Sequence, residues 1–346
     1  SLMADLSAGL TVGIIALPLA MAFAIGSGVK PEAGITTAIV AGFLISALGG
    51  TRLAIGGPTG AFIVIVYGIV DRYGVANLII CTLMAGAILV AMGFLRLGGL
   101  IRFVPQPVIV GFTNGIAVLI FLAQVRDFLG LQVAKVPAEF FSMVRTLASA
   151  LHTAQIPAIL MAGAGLVMLR MWPKAWTRTA PPTVILLVVA TAATALLGLP
   201  VETIGSRFGG IPRALPLPVL PEVTLAHLRD LIVPAFTIAL LAAIESLLCA
   251  VVADKMTQDR HDANQELMAQ GLANFASGIF GGIPATGAIA RTTANIAAAN
   301  PAISDTARGD SAVSRRHHAC ADNLSGVRDW KVQRSSDFSV YLVMPE

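Results

Sequence analysis

The chain reads as an all-α polytopic membrane protein, and three observations predict that class. Mean hydropathy is +0.82, with 56% hydrophobic and only 12% charged residues over 346 positions, too apolar for a core that needs a polar coat. Apolar runs recur that match the roughly 20 helical residues needed to cross a hydrocarbon layer about 30 Å thick. Only brief polar breaks separate them, and an open sheet in lipid would leave backbone groups unpaired, so the runs are helices.

Spans are predicted at 5–26, 33–49, 76–95, 107–125, 156–172, 181–199, 230–253 and 263–280. The first, Leu6 to Ile25 at its centre, has no basic stretch before it and is followed at once by another span, so it reads as a retained helix and not a cleaved signal. Two further apolar segments, 58–70 and 288–300, are too short to cross. Each follows a Gly/Pro-broken stretch, the pattern of a half-helix that ends near the bilayer midplane. Lys135 to Leu151 is amphipathic and predicts an interfacial helix, with a plain loop helix as the alternative. Residues 200–229, with Pro212, Pro216, Pro218 and Pro221, predict a long exposed loop. The short connections holding Arg96 and Arg102, and Arg170, Lys174 and Arg178, are basic without acids, which places them and the N-terminus in the cytoplasm; the loops on the other side carry comparable numbers of basic residues mixed with acids.

The chain also repeats itself. Gly56-Gly57-Pro58-Thr59-Gly60-Ala61 opens the first short segment, and Gly281-Gly282-Ile283-Pro284-Ala285-Thr286-Gly287-Ala288 opens the second, 225 residues later. Upstream, 41–50 is echoed by 273–282, both ending in a Gly-Gly pair. Chance similarity between Gly/Ala-rich membrane segments is the bland alternative. Paired interruptions in two halves point to a transporter binding site.

The start of a half-helix presents unsatisfied N–H groups and the positive end of the helix dipole, which together suit an anion. The candidate anion site is therefore the backbone around Thr59, Gly60 and Ala61 and around Ile289, Ala290 and Arg291, with Thr59 and Thr286 expected to cap the two helices. Arg291 either adds positive potential there or reaches toward the interface. Glu245 lies mid-span, nine residues before the next charge, Asp254. An ionisable group in such a place is costly and marks function. It could carry a proton in coupled transport, help ligate Na⁺ when ionised, or serve as a structural carboxylate. Phe23 and Met21 either wall the apolar side of the site or pack against lipid and core.

Other chemistry is not encoded. Cys81, Cys249 and Cys320 have no metal-like spacing and read as free thiols. The charged stretch Asp254, Lys255, Asp259, Arg260, His261 and Asp262 reads as a solvated hinge and not a metal site. There is no P-loop, zinc spacing or Ser-His-Asp order, so neither an enzyme nor an ATPase is expected, and no cofactor. Net charge is only +4 and no basic run with interleaved aromatics appears, so nucleic acid is not an expected partner.

Several stretches resemble SulP anion transporters, the sulfate permeases also called solute carrier family 26. They are Glu245-Ser246-Leu247-Leu248 through Val252-Ala253-Asp254, then Asp259-Arg260-His261, Asn264-Gln265-Glu266-Leu267, Gln270-Gly271-Leu272-Ala273-Asn274, and Gly281 through Thr292. In the first half Leu17-Pro18, Ala20 through Ala24, Pro31, Ala33-Gly34 and Ile55 through Ala61 agree, so the resemblance covers about residues 5–300. It implies a seven-plus-seven inverted-repeat fold cut after the tenth segment, a core from about 5–95 and 230–300, a gate from about 107–199, and an elevator-like mechanism. It also implies an anion held between the two half-helices with Phe23 beside it, a plasma (inner) membrane location, and a homodimer. An acid at the position of Glu245 is tied in this family to cation coupling; Cys249 stands where Na⁺-using members carry a hydroxyl, which favours H⁺ over Na⁺. Some members have Gln where Leu19 stands, so one polar substrate contact is expected to be missing.

Residues 301–346 depart from the family. They hold twelve charged residues with His317 and His318 and no run able to span. The expectation is a truncated or frame-shifted product with a disordered tail and no STAS domain. The function expected is proton-coupled secondary transport of sulfate, bicarbonate or dicarboxylate. The alternatives are a non-transporting membrane protein and a nucleobase transporter of the same architecture.

Overall fold

The structure, a computed structural model, describes residues 2–99, 106–133, 137, 139–173, 182–199, 201, 203, 205–206, 210, 216, 218 and 225–299. Helix α1 (Leu2–Gly26) runs unbroken through Pro18. Helix α2 (Pro31–Leu48) starts with proline at its first position, where the missing N–H costs nothing, after Lys30 in an extended conformation. The two-residue strand β1 (Gly56–Gly57) leads into α3 (Phe62–Phe94), which is bent at Gly74, where φ is 82° and ψ 169°. That backbone is open to glycine and strained for other residues. It divides α3 into a short leg, 62–73, where the sequence predicts a half-helix over 58–70, and a long leg, 75–94, beside the predicted span 76–95.

Next come α4 (Gln106–Leu129), α5 (Phe140–Ser149), a single 3₁₀ turn (Leu151–Thr153), α6 (Ile156–Met171) and α7 (Pro182–Leu197). The second half begins with α8 (Leu225–Thr257) and α9 (Ala263–Ile279), and ends with β2 (Thr286–Gly287) and the half-helix α10 (Ile289–Ala299). Among the described residues, Ala8–Gly26, Pro31–Leu48, Phe62–Phe94 and Leu228–Thr257 are long and apolar enough to cross a membrane; Ile156–Met171 and Ile185–Leu197 are shorter apolar helices.

Three expectations change. The exposed loop predicted to reach residue 229 ends sooner, because α8 already begins at Leu225; His227, Arg229 and Asp230 lower the hydropathy there without opposing a helix. The rest of that loop lies mostly outside the described residues, as do Cys320 and the whole of 301–346. The charged hinge is a solvated loop over 258–262 only, where Asp259, Arg260 and Asp262 are exposed, and it is tied down at both ends. Asp254 and Lys255 belong to α8, His261 Nδ1 lies 2.6 Å from Asp254 Oδ2, and Asp262 caps α9 by accepting from the amides of Asn264 and Gln265. Among its described residues the amphipathic segment is α-helical over 140–149, with Met143 and Leu147 buried against α4.

Helices α1, α2, α3, α8, α9 and α10 pack together, whereas α4 packs with α5 and α6, and α6 with α7. Small residues allow the closest approach in the first group. A β-carbon on Gly86 of α3 would stand 2.7 Å from the Gly271 carbonyl of α9, and one on Gly93 would meet Met268.

Helix α9 turns a polar face inward. Glu266, Gln270, Asn274 and Ser277, spaced by four, four and three residues, are fully buried, while Leu272 and Phe275 point outward. In lipid the exterior is apolar, so polar side chains are stable only where they find partners inside. Gln270 donates to Glu266 Oε1 at 3.0 Å, and the other three find backbone partners at and just before the two breaks. Glu266 Oε2 accepts from the Gly50 amide at 2.9 Å. Asn274 donates to the Ala285 carbonyl and accepts from the Ala285 amide, both at 2.8 Å. Ser277 and Thr37 of α2 bond both backbone groups of Ile283.

Candidate functional site

The two breaks meet. β1 and β2 pair antiparallel, Gly56 opposite Gly287 and Gly57 opposite Thr286, although 230 residues separate the strands' facing positions on average. The Ala288 amide adds a bond to the Ile55 carbonyl (2.9 Å), the Ile55 amide donates to Thr292 Oγ1 (2.9 Å), and Asn295 Nδ2 donates to the Leu53 carbonyl (3.2 Å). The short leg of α3 and α10 therefore start from one bridged strand pair.

At these starts the amides of Gly60, Ala61, Ile289, Ala290 and Arg291 make no hydrogen bond to any described residue. They are the orphan donors every helix start carries, and here no described side chain accepts from them. The Arg291 side chain is 4% exposed. Its Nη2 donates to the Pro58 carbonyl at 3.1 Å, and its Nε has no partner among the described residues. Gly57, at φ 147°, leaves the space that Arg291 Nη1 occupies; a β-carbon there would collide with it. Of the two roles open for Arg291, the structure excludes reach to the interface: the guanidinium is folded back over the first break.

Helix α8 braces both breaks from neighbouring positions. Thr59 Oγ1 donates to Glu245 Oε2 at 3.0 Å. One residue on, Ser246 Oγ lies 2.8 Å from Thr286 Oγ1 and accepts from the Gly287 amide at 3.2 Å, while Thr286 Oγ1 donates to the Ala242 carbonyl at 3.0 Å. The expectation that Thr59 and Thr286 cap the half-helices is thus overturned. Both hydroxyls turn toward α8, where buried acceptors need a donor more than the helix starts need a cap. Further along α8, Cys249 is buried and free, its Sγ 3.1 Å from Thr292 Oγ1.

One cavity of about 450 Å³ is lined by eight of the residues singled out from the sequence, Phe23, Thr59, Gly60, Ala61, Glu245, Ile289, Ala290 and Arg291, but not by Thr286. Met21 is not among its lining. The cavity also holds residues that sequence reasoning missed, Ile65, Ile120, Thr237, Leu241 and Leu248. Their signal is weak, since apolar residues on apolar helices look alike whichever way they face. Leu19 lines it too, where the resemblance pointed to a missing polar contact. The result is an apolar chamber with positive polarity at one end and a carboxyl group beside it.

The family model described as the sulfate permease family matches residues 2–302. The chain belongs to the sulfate permease family. The putative sulfate transporter YvdB of Bacillus subtilis is 48% identical over 292 residues, 84% of this chain and 55% of that protein. The bicarbonate transporter BicA of Picosynechococcus is 32% identical over 301 residues, 84% of this chain and 53% of that protein. Among solved structures, the transmembrane domain of a cyanobacterial bicarbonate transporter BicA superposes with a TM-score of 0.78 at 31% identity, over 86% of this chain and 76% of that one. The chain thus has the transmembrane fold of this family and is a multi-pass membrane protein. It spans about half the length of these curated relatives.

Proposed function

We propose that this chain forms the anion-binding part of a secondary transporter for sulfate, bicarbonate or a dicarboxylate in the plasma membrane, coupled to protons through Glu245. The carrying observation is the pair of bridged half-helix starts: the residues whose amides are free line one cavity, and the buried Arg291 guanidinium lies between the two starts. Backbone donors and a desolvated guanidinium favour an oxyanion, and an apolar surround strengthens the attraction by excluding water. Relatives named for sulfate and for bicarbonate support the substrate class.

Among the described residues Glu245 is the one acidic side chain in the lining of that cavity, and its bond to Thr59 ties it to the first half-helix start. A carboxyl group there can gain or lose its proton beside the anion, which couples the two without direct contact. A thiol at Cys249 in place of a hydroxyl one turn along α8 removes a hard oxygen donor that Na⁺ would use, and so favours the proton. Core helices α1, α2, α3, α8, α9 and α10 would carry the site as one body past a gate built on α4, α6 and α7, in an elevator-like movement. A homodimer completes the proposal as the assembly.

The test is uptake of radiolabelled sulfate and bicarbonate into proteoliposomes with an imposed pH gradient, beside uracil. Gradient-driven uptake of an anion and none of uracil is the expected result. Uracil uptake would replace the anion reading with a nucleobase one, and no uptake by a chain that still folds would leave a non-transporting membrane protein.

A further inference from the structure

A second cavity, of about 520 Å³, lies along the same helices as the site cavity, with linings that include Lys30, Tyr67, Asp71, Gln124, Arg126 and Asp127. The two linings alternate along the chain. On α1, Leu19 and Phe23 face the site cavity while Ala22, Ile25 and Gly26 face the second; on the α3 side, Gly60, Ala61 and Ile65 face the first while Ile63, Val64 and Tyr67 face the other. Among the described residues, only Ile120 of α4 belongs to both.

The partition between them is a three-way contact. The Cδ1 of Ile120 fills the space where a β-carbon on Gly60 would stand, and Phe23 Cε1 is 3.3 Å from the same point. Gly60 supplies a hole, Ile120 the knob, and Phe23 the wall. A residue that merely packs is enclosed on all sides, whereas Ile120 is half-buried with a cavity on each flank. One flank carries charged side chains and can hold water; the other is the apolar anion chamber.

We propose that Ile120 is the apolar barrier that separates the anion site from a polar vestibule, and that the vestibule is the anion's path to the site from the end where Lys30 lies. The identity of the traveller rests on the proposed function; the barrier does not. A hydrated ion cannot pass a constriction closed by hydrocarbon, because it must shed water with nothing to replace it. Opening needs Ile120 to leave the Gly60 hole. Movement of α4 against the helices that carry the two breaks would do this.

The test is chemical access. In a full chain lacking its three native cysteines, cysteine is introduced in the site cavity (Ala290→Cys) or in the vestibule (Ala123→Cys). A membrane-impermeant thiol reagent is then added from the side where Lys30 lies. Ala123→Cys is expected to label readily whatever occupies 120. Ala290→Cys is expected to label slowly with Ile120 present, roughly tenfold faster with Ile120→Ala, and slowly again with Ile120→Leu, which refills the hole. Equal labelling of Ala290→Cys with Ile120 and Ile120→Ala would overturn the barrier, and failure of Ala123→Cys to label would overturn the vestibule. Anion uptake measured in parallel separates the two ideas: its absence in every preparation counts against the transport reading and leaves the labelling pattern to stand or fall alone.

Discussion

In the proposed function two side chains, Arg291 and Glu245, carry the chemistry, and each can be changed without removing its scaffold. Arg291 is buried with the Pro58 carbonyl as its one hydrogen-bond partner among the described residues, so its remaining donors gain most when an anion arrives. Hydrogen bonds to a charged group contribute about 1.5–3 kcal/mol, so Arg291→Gln should weaken sulfate binding roughly 10- to 150-fold by calorimetry in detergent. Arg291→Lys should recover part of that, since charge survives while the planar fork is lost. An unchanged Kd in Arg291→Gln would remove the guanidinium from the site. Glu245→Gln keeps an acceptor for the Thr59 hydroxyl but cannot exchange a proton. Its expected signature is anion binding near the unsubstituted level with loss of pH-driven uptake. The sign of the effect is fixed: uptake by the unsubstituted chain rises when the outside is made more acidic, and uptake by Glu245→Gln does not respond. A Glu245→Gln chain that still follows the gradient would leave the carboxylate with a structural role.

Helices, breaks and braces form the next level, and here the irregular backbone of the second break depends on α9. Asn274 uses its amide to satisfy both backbone groups of Ala285. Asn274→Leu has similar volume but leaves two buried main-chain groups unpaired, a loss of about 1–3 kcal/mol for each. Thermal unfolding in detergent should show a clear drop in Tm, and anion binding should fall with it because β2 and α10 lose their anchor. A Tm equal to that of the unsubstituted chain would mean that the strand pair alone holds the break. The same level explains what could be read beforehand. The half-helices were legible because glycine and proline interrupt hydropathy at matching places, and Glu245 because a charge in an apolar run has no local excuse. The turning of Thr59 and Thr286 toward α8 was not legible, since their partners Glu245 and Ala242 lie 186 and 44 residues away and local pattern favours a cap. Ile120 was hidden for a related reason: nothing in an apolar span distinguishes the residue that fills another helix's missing side chain.

At the scale of the whole molecule, the helices that carry the two breaks are knit by backbone and buried polar bonds, while among the described residues α4 meets the site cavity through Ile120. A body held by many directional bonds moves as a unit, and an apolar contact over a glycine has no directional bond to break. Sliding is therefore expected at the Gly60–Ile120 contact and not within the bridged breaks. Cysteines at the two positions, Gly60→Cys with Ile120→Cys, put the thiols where the structure already brings side-chain and backbone atoms together. Oxidation should join them and stop anion uptake, and a reductant should restore it. Anion binding separates immobilisation from obstruction: a locked but open site keeps its Kd, roughly within a factor of two of the reduced protein, whereas a plugged one loses affinity. If the oxidised protein is fully cross-linked and still transports at the reduced rate, α4 and the anion site travel together, and an elevator-like movement across this contact is wrong.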